Sequence, residues 1–528
     1  MGASASSSSS SSPELQEEES IATSTGSLPF LRSSFSKLSN DSDSVSSTSL
    51  AQVFSLKTPK SIPSSPVTFP SLLSSLGPSL SSLLFPTATA TWLQFLRGYN
   101  RCCSRQPASS SLALLFRLFS QTCLHAGIPC SLDLDDDKVS GFFAPTDLLS
   151  LLSLCWVMAL HSKAPEGAGG GGGQGLVLPD LTHLVLSAMV ASGEVEDEGD
   201  AWDFDVSRSE KRMAASKVHV WMLSTIPGLT GCFPEYVREK LRSCAVSGDS
   251  PILSADDTSI KDGKDTFLLE CGRAWAISLT LRTTLGDEFL GPSFPGAVSM
   301  SFDHILYRSS LDGKGLNRFW SNVEGYNGSL LILISASSTV PGESKDGGRT
   351  WVIGILTDQG FENRKTFYGD SGYLYAISPI FRVFSPSGKD KNFMYSHSHP
   401  TGKIYEPNPK PVGLAFGGTL GSERIFIDED FSRVTVRHHA VDKTYQHGSL
   451  IPSQGFLPVE ASLLEVEVWG FGGKAAKEQQ DAYKNRETLF SDQRRKVDLK
   501  TFGNWEDSPE KMMMDMVSDP NRVRREDR

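Results

Sequence analysis

The histidines that gather late in the chain are the residues best suited to metal or acid–base chemistry. Five of the ten histidines lie between residues 397 and 447: His397, His399, His438, His439 and His447. His397 and His399 would face one side of a strand and could share a metal ion. His438 and His439 are adjacent, so a strand would point them to opposite faces, and no carboxylate spacing completes a ligand set. We therefore interpret these side chains as surface or hydrogen-bonded histidines, with an antioxidant or metal-dependent enzyme as the alternative function.

The acidic stretch after residue 132 is typical of a calcium loop with an incomplete set of ligands. Asp133, Asp135 and Asp137 fall at positions 1, 3 and 5 of an EF-hand loop, where calcium needs oxygen ligands. Lys138 replaces the glycine expected at position 6, and Ala144 replaces the glutamate expected at position 12. We therefore predict an EF-hand-like scaffold without calcium. A calcium-responsive sensor that uses the three aspartates is an alternative function.

Other familiar catalytic patterns do not occur in the sequence. There is no G-x-S-x-G, no complete G-x-x-x-x-G-K-[ST] and no H-E-x-x-H. Glu465 and Glu467 share one face of a predicted strand and could perform acid–base chemistry, but alternating carboxylates more often form the solvated side of a strand. No cysteine lies between residues 302 and 473, which excludes a peroxidase-like thiol mechanism within that stretch. We predict no catalytic residue and no cofactor.

The elements that position these groups are predicted to be strands, between residues 302 and 473. Residues 330–334 are apolar without interruption, which predicts a central strand buried on both faces. Short segments separated by turns follow as far as residue 469 and predict a packed β-sandwich. Residues 316–323 have helical spacing and are expected to cap one end of the sandwich.

The ordered motifs of this stretch resemble the TLDc domain. They are Leu306-Tyr307-Arg308-Ser309, residues 328–334, Trp351-Val352-Ile353-Gly354, Gly417-Gly418 followed by Ile425-Phe426-Ile427-Asp428, and Glu465-Val466-Glu467-Val468-Trp469. The TLDc domain occurs in oxidation-resistance proteins and in a myristoylated, lysosome-associated subgroup that affects growth (TOR) signalling. The chain looks similar to that subgroup, including its plant members. The resemblance implies a two-sheet sandwich with few helices and binding to the peripheral V1 part of the vacuolar proton-pumping ATPase.

The N-terminus fits the same subgroup, because Gly2 and Ser6 match the N-myristoylation pattern. One acyl chain holds a membrane only marginally. Glu17, Glu18 and Glu19 would be repelled by anionic lipid, so a protein partner must supply the second contact. A serine-rich start also occurs in plastid transit peptides, but those are poor in acidic residues. We predict a cytoplasmic protein, peripheral on the cytosolic face of vacuolar, lysosomal or other endomembranes, with a plastid as the weaker alternative.

Residues 14–285 are predicted to form a helical region with two EF-hand-like units, one around residues 40–44 and one around the acidic stretch. Residues 55–82 are rich in serine and proline, and residues 165–175 contain five consecutive glycines, so both are predicted to be disordered linkers. A chain of 528 residues is too long for a single core. Its net charge of -11 argues against nucleic-acid binding, which needs a basic surface.

Residues 474–528 are predicted to form a charged helical tail whose few apolar residues are candidates for binding a partner. Methionine-rich faces adapt to different partners. Packing of the methionine cluster back onto the sandwich is an equally simple alternative. The candidate residues are Leu489, Phe490, Met512, Met513, Met516 and Val517.

These patterns together predict an α+β protein. A disordered, lipidated N-terminus at residues 1–13 precedes the EF-hand-like helical region, a TLDc sandwich at residues 290–473 and the helical tail. The predicted function is that of a non-enzymatic, membrane-associated interaction or regulatory protein. It would bind V1 subunits and the membrane, with links to growth signalling or oxidative-stress resistance.

Overall fold

The computed structural model has the predicted α+β architecture, with helices in the N-terminal region, a large antiparallel sheet and a C-terminal helix. It describes residues 12–39, 43–56, 62, 66–135, 138–163, 176–195, 201–246, 267–281, 286, 288–289, 304–338, 348–398, 409–439, 442–503 and 513.

The N-terminal region contains eleven main helices among its described residues, joined in places by short strands. The helices are α1 (Pro13–Ser24), α2 (Leu28–Ser39), α3 (Ser47–Phe54), α4 (Phe69–Leu84), α5 (Trp92–Cys103), α6 (Ala108–Ala126), α7 (Pro145–Lys163), α8 (Thr182–Ala191), α9 (Ala215–Thr225), α10 (Cys232–Val246) and α11 (Cys271–Thr280). The strands are β1 (Ser44–Ser46), β2 (Thr89–Thr91), β3 (Leu132–Asp135), β4 (Lys138–Phe143) and β5 (Met213–Ala214).

These elements form two pairs of helix–loop–helix units. In the first pair, α2–α3 and α4–α5 are joined by antiparallel pairing of β1 with β2, centred on Val45 opposite Ala90. In the second, α6–α7 and α8–α9 are joined by β4 and β5, with Phe142 opposite Ala214. Short antiparallel pairing between two loops is the arrangement of an EF-hand pair. The EF-hand-like outline therefore extends over four units rather than two.

Helix α4 overturns part of the predicted linker at residues 55–82. Leu72, Leu76 and Leu80 recur every fourth residue and are buried in the helical core. The serine and proline content suggested coil, but this apolar stripe gives the segment a face to bury, and Pro70 stands in the first turn, where a helix tolerates proline. The predicted glycine-rich linker at residues 165–175 lies outside the described residues.

The second half of the chain is built around ten antiparallel strands. They are β6 (Ile305–Arg308), β7 (Leu330–Ser338), β8 (Arg349–Thr357), β9 (Gly372–Ser378), β10 (Arg382–Phe384), β11 (Tyr395–His397), β12 (Gly413–Thr419), β13 (Ser422–Asp428), β14 (Arg433–Val436) and β15 (Val459–Gly470). The helices of this half are α12 (Ser309–Asp312), α13 (Leu316–Val323) and α14 (Gly473–Gly503).

Strand β15 joins the two halves of this sheet. The strand order is β10-β9-β8-β7-β15-β14-β13-β12-β11, and β6 also pairs with β15. The start of β15 pairs with β14 and the remainder with β7, with a register shift between Leu463 and Glu465. The predicted two sheets are thus one continuous hydrogen-bonded sheet, because a single long strand belongs to both halves. Inward side chains of the two halves, such as Ile332 and Ile427, share one core.

Strand β7 is buried on both faces, as its apolar run predicts. Ile332 and Ile334 point into the core between the two halves of the sheet. Leu331 and Leu333, on the opposite face, belong to the same core as Trp275 of α11. The helical region therefore covers one face of the sheet, and this contact explains why the strand has no polar side.

Candidate functional site

Glu467 lies at the junction of the helical region and the sheet. Its side chain is buried, and it accepts hydrogen bonds from the backbone N–H groups of Leu268 at 2.8 Å and Leu269 at 3.3 Å. The indole Nε1 of Trp469 donates a third hydrogen bond at 3.0 Å. The prediction that Glu465 and Glu467 form a solvated strand face is therefore wrong. A segment almost two hundred residues earlier in the chain covers that face.

Arg308 forms ion pairs with the carboxylates of both Glu465 and Glu467. Its Nε lies 3.6 Å from Glu465 Oε2 and 3.6 Å from Glu467 Oε1, and its guanidinium stacks 4.8 Å from the ring centre of Phe267. Glu465 also accepts a hydrogen bond from the backbone N–H of Ser310 at 2.9 Å. The two carboxylates accept hydrogen bonds and share one arginine, and together they form a structural contact between two parts of the chain.

The buried position of Glu467 predicts a pH dependence of stability. Burial raises the pKa of Glu467 above 4.5, although the hydrogen bonds from Leu268 and Trp469 and the charge of Arg308 lower it. The Glu467 carboxyl therefore binds a proton more tightly in the folded protein than in the unfolded chain. The stabilisation of the folded state by this proton is complete below the pKa of the unfolded chain and is lost as pH rises through the pKa of the folded protein. In urea titrations, we expect the unfolding free energy of wild type minus that of Glu467→Gln to fall as pH rises from about 4 towards 7. A difference that stays constant with pH would contradict the assignment.

The structure describes four of the five predicted histidines and arranges none of them in a metal-binding cluster. His397 is buried in β11 with Nδ1 3.3 Å from Asn363 Oδ1, and His399 lies outside the described residues. His447 is exposed. Within the described ranges, no three His, Cys, Asp or Glu side chains are arranged to hold a metal ion. Nothing in this arrangement supports the metal-site alternative.

His438 and His439 lie near each other at the end of β14. His438 Nδ1 is 3.0 Å from the carbonyl oxygen of Gly455, and its ring stacks on Phe456 with centroids 4.9 Å apart. His439 is half-buried, and burial lowers its pKa. Both line an open cavity of about 420 Å³ together with Asp442. The contacts of His438 agree with its interpretation as a hydrogen-bonded surface histidine, whereas the buried Nε2 of His439 has no hydrogen-bond partner among the described residues.

A buried ion pair between Arg424 and Asp442 was not predicted from the sequence. Arg424 Nη1 lies 2.9 Å from Asp442 Oδ2, and neither side chain is exposed. Arg424 also donates to the carbonyl oxygens of Gln446 at 2.6 Å and Gly448 at 2.8 Å. The guanidinium thus fastens the long connection between β14 and β15 to the sheet. The only sign of this ion pair in the sequence is that Arg424 directly precedes the apolar residues of β13.

Two of the three calcium candidates lie in a β-hairpin. Asp133 and Asp135 belong to β3, opposite Ser140 and Lys138 of β4, and Asp137 lies outside the described residues. Helix α7 begins at Pro145, directly after Ala144, the residue that the sequence places at the final ligand position. An EF-hand loop places that ligand inside the exiting helix. Calcium binding by these aspartates stays an alternative, and the described residues form no ligand cage around them.

The first third of α14 is anchored on the sheet domain. Ala476 and Gln480 are buried, and Gln480 Nε2 donates to the carbonyl oxygens of Asn322 at 2.8 Å and Glu324 at 3.3 Å. These carbonyls lie at the end of α13, which leaves unpaired acceptors there. Lys484 Nζ donates to the same Asn322 oxygen at 3.0 Å. The helix is therefore held at a defined position and direction.

Beyond this anchor the helix projects into solvent. Every described side chain from residue 485 to residue 496 is exposed, including Leu489 at 62% and Phe490 at 65%. Met513 is 70% exposed, whereas Met512, Met516 and Val517 lie outside the described residues. The structure thus places the Leu489–Phe490 pair on a projecting helix and leaves the methionine cluster untested.

The acidic residues near the N-terminus are partly turned inward. Gly2 lies outside the described residues, but α1 follows it closely. Asn100 Nδ2 donates to Glu18 Oε2 at 2.7 Å, and Arg32 Nη2 lies 3.0 Å from Glu19 Oε1. The expected repulsion of anionic lipid by three free glutamates is therefore weaker than the sequence suggested. Among the described residues, no helix combines the length and the apolar character needed to cross a membrane.

Comparison with known proteins identifies the sheet domain. No curated protein matches the chain. The model of the TLDc domain family matches residues 288–472, which include all ten strands of the sheet and end just before α14. A TLDc domain fits a regulatory or interaction role. Residues 288–472 of this chain form a TLDc domain, as its strand motifs predicted.

Proposed function

We propose that this chain is a non-enzymatic interaction protein that docks on the peripheral V1 part of the vacuolar proton-pumping ATPase. The observation that carries the proposal is the projecting half of α14. It extends from a fixed position on the TLDc domain and exposes the apolar side chains of Leu489 and Phe490. The choice of V1 comes from the family resemblance. The helix supplies the surface for it.

The form of α14 favours a docking role. A polar helix with no tertiary contacts gains little stability from propensity alone. Here the anchor at Gln480 and Lys484 nucleates the helix, so that the exposed turns are ordered before a partner arrives. Pre-ordering lowers the conformational entropy lost on binding. Leu489 and Phe490 would then act as apolar contacts within a polar surface.

Membrane association would come from two weak contacts used together. A myristoyl group on Gly2 binds membranes only marginally by itself, and docking on a membrane-bound pump would add the second contact. This combination supports a peripheral location on the cytosolic face of vacuolar or lysosomal membranes. Effects on growth signalling or oxidative-stress resistance would follow from regulation of the pump rather than from chemistry in this chain.

Removing the apolar pair on α14 is expected to weaken binding while the fold stays intact. We expect Leu489→Ala/Phe490→Ala to reduce affinity for purified V1 at least tenfold, because truncating an apolar anchor at an interface costs about 1–2 kcal/mol or more. Affinity is measured by biolayer interferometry with full-length protein. Gln493→Ala, at an exposed polar position of the same helix, is the matched control and should bind like wild type.

A truncation separates the projecting half of α14 from its anchor. A chain that ends at Lys484 keeps the buried contacts of Ala476 and Gln480, whereas a chain that ends at Gly473 loses them. The first should unfold like the full-length protein and lose V1 binding. If it binds V1 as tightly as the full chain does, the docking surface lies in the sheet or the helical region. If the full chain itself does not bind V1 under any nucleotide condition, the proposed function is wrong.

A further inference from the structure

Two cysteines of the helical region lie side by side at the end of α6. The Cys123 thiol donates a hydrogen bond to the sulfur of Cys130, and both cysteines are free. Cys123 is buried in the last turn of α6, whereas Cys130, seven residues further on, is partly exposed. Two thiols in hydrogen-bond contact already meet the main requirement for a disulfide, which is that the two side chains point at each other.

The turn after α6 brings these two side chains together. Gly127 adopts a left-handed conformation with a φ of 68°, and the backbone N–H of Ile128 donates to the carbonyl oxygen of Cys123 at 2.9 Å. This is the long hydrogen bond of a Schellman motif, which reverses the chain at the end of a helix. The reversal returns Cys130 to the last turn of the helix that the chain has just left.

The β3–β4 hairpin fixes Cys130 from the other side. Leu132 of β3 pairs with Gly141 of β4, and the backbone N–H of Phe142 donates to the carbonyl oxygen of Ser131 at 3.0 Å. Cys130 therefore lies between a closed helix end and a paired strand. The contact between the two thiols follows from the hydrogen bonds of the backbone on both sides of it.

The surroundings of Cys130 favour its thiolate. The hydrogen bond from Cys123 lowers the pKa of the Cys130 thiol, and the backbone N–H of Leu132 and the side chain of Ser120 act in the same direction. Burial and the charge of Asp147 raise this pKa without outweighing the hydrogen bonds. The contact with Cys130, followed by burial, raises the pKa of Cys123. One sulfur is thus a nucleophile, and the other is a protonated thiol that lies against it.

A small oxidant has access to Cys130 from solvent. Cys130 is partly exposed, and its neighbours Pro129 and Ser131 are exposed. Cys244 and Cys271 are also half-buried, but burial raises the pKa of both thiols. Solvent access and thiolate character, the two conditions for oxidation of a cysteine, therefore coincide at Cys130.

We propose that Cys123 and Cys130 are a redox-active dithiol, which hydrogen peroxide oxidises to an intramolecular disulfide. The Cys130 thiolate attacks one oxygen of the peroxide, the O–O bond breaks, and hydroxide leaves while the sulfur becomes a sulfenic acid. The Cys123 sulfur then attacks the sulfenic sulfur, so that the S–S bond forms and the S–O bond breaks. The departing hydroxide takes the Cys123 proton and leaves as water. The bridge would tie the end of α6 to the start of β3, and the proposal does not rest on V1 binding.

The disulfide can be detected in one peptide of the full-length protein. Trypsin cleaves after Arg117 and Lys138, so residues 118–138 contain both cysteines and no other. Reduced protein is treated with hydrogen peroxide at pH 7, unfolded in iodoacetamide, digested and analysed by mass spectrometry. We expect this peptide to be lighter than the dithiol by two hydrogen atoms and to take up no iodoacetamide, whereas Cys244 stays open to alkylation. Prior reduction with dithiothreitol should restore alkylation of both cysteines.

Two outcomes of this measurement would overturn the proposal. In the first, both cysteines of the peptide remain open to alkylation at a peroxide concentration that fully oxidises N-acetylcysteine. In the second, Cys123 or Cys130 is found bridged to another cysteine of the chain or to a second copy of it. Wild-type protein suffices for both, so neither outcome depends on the folding of a variant.

Substitutions separate the roles of the two sulfurs. In Cys123→Ala the sulfenic acid of Cys130 has no thiol to condense with, so we expect dimedone to label Cys130 in this variant. In Cys130→Ala we expect Cys123 to stay reduced, because its thiol is buried and protonated. Cys244→Ala is the matched control and should form the bridge as wild type does. Labelling of Cys123 in place of Cys130 would contradict the assigned roles. Melting temperatures show whether each variant is folded.

The hydrogen bond between the thiols has its own measurement. The rate at which iodoacetamide alkylates Cys130 should reach half its maximum below about pH 8.5, the usual pKa of a free cysteine. In Cys123→Ala the midpoint should move to higher pH, since the donor that stabilises the thiolate is gone. A midpoint that does not move would contradict the contact on which the proposal rests.

Discussion

Glu467→Ala is expected to lower the free energy of unfolding by about 3–5 kcal/mol, the typical cost of breaking a buried charge pair from one side. The substitution removes the acceptor for the backbone N–H groups of Leu268 and Leu269 and for the indole of Trp469. It also leaves the charge of Arg308 buried with one carboxylate in place of two. The measurement is urea unfolding of the full-length protein at pH 7.

A control on the same strand separates this effect from a general sensitivity of β15. Glu460 is an exposed carboxylate of β15, and Glu460→Ala is expected to change the unfolding free energy by less than about 0.5 kcal/mol. Hydrogen exchange supplies a local readout, because the amides of Leu268 and Leu269 should exchange faster in Glu467→Ala alone. Equal stability of the two variants would mean that the carboxylate does not hold the helical region on the sheet.

Arg424→Ala is expected to cost a similar amount, about 3–5 kcal/mol, for a different reason. It leaves the Asp442 carboxylate buried without its counter-ion and frees the carbonyl oxygens of Gln446 and Gly448. The side chain also packs 4.6 Å from the ring centre of Phe384, and that contact is lost too. Thermal and urea unfolding measure the cost, and the connection between β14 and β15 should become sensitive to proteases.

Two comparisons make this result specific to the buried pair. Arg433→Ala removes an exposed arginine whose ion pair with Asp428 spans 3.7 Å, and surface pairs contribute about 0–1 kcal/mol. Adding Asp442→Ala to Arg424→Ala should restore part of the lost stability, because no buried charge then remains unpaired. If the two substitutions lower the free energy of unfolding independently, so that the double variant loses the sum of their separate costs, Arg424 and Asp442 are not coupled.

Several elements were predictable because their pattern is local. The run from Leu330 to Ile334 predicted a strand buried on both faces, and β7 is such a strand. The spacing of Leu316, Phe319 and Val323 predicted α13, and all three side chains are buried. The strand motifs also predicted the TLDc domain, which the family comparison confirms for residues 288–472.

Predictions that used composition in place of pattern were less reliable. Serine and proline suggested a linker where α4 forms, because leucines at every fourth position outweigh a serine-rich average once they have a core to enter. The spacing of Asp133 and Asp135 predicted an incomplete EF-hand loop without calcium, and in the structure β3 pairs with β4 and holds both residues in a hairpin. Packing against distant parts of the chain decided the structure of α4, whereas the β3–β4 hairpin is a pairing between neighbouring segments.

The α+β class, most strands of the TLDc domain and the apolar pair on the tail could be predicted from the sequence, since each depends on the order of neighbouring residues. The burial of Glu467, the contact of Arg424 with Asp442 and the anchoring of α14 at Gln480 became visible only in the folded protein. Those outcomes depend on contacts between residues far apart in the chain. Periodicity cannot encode which distant surface covers a given face.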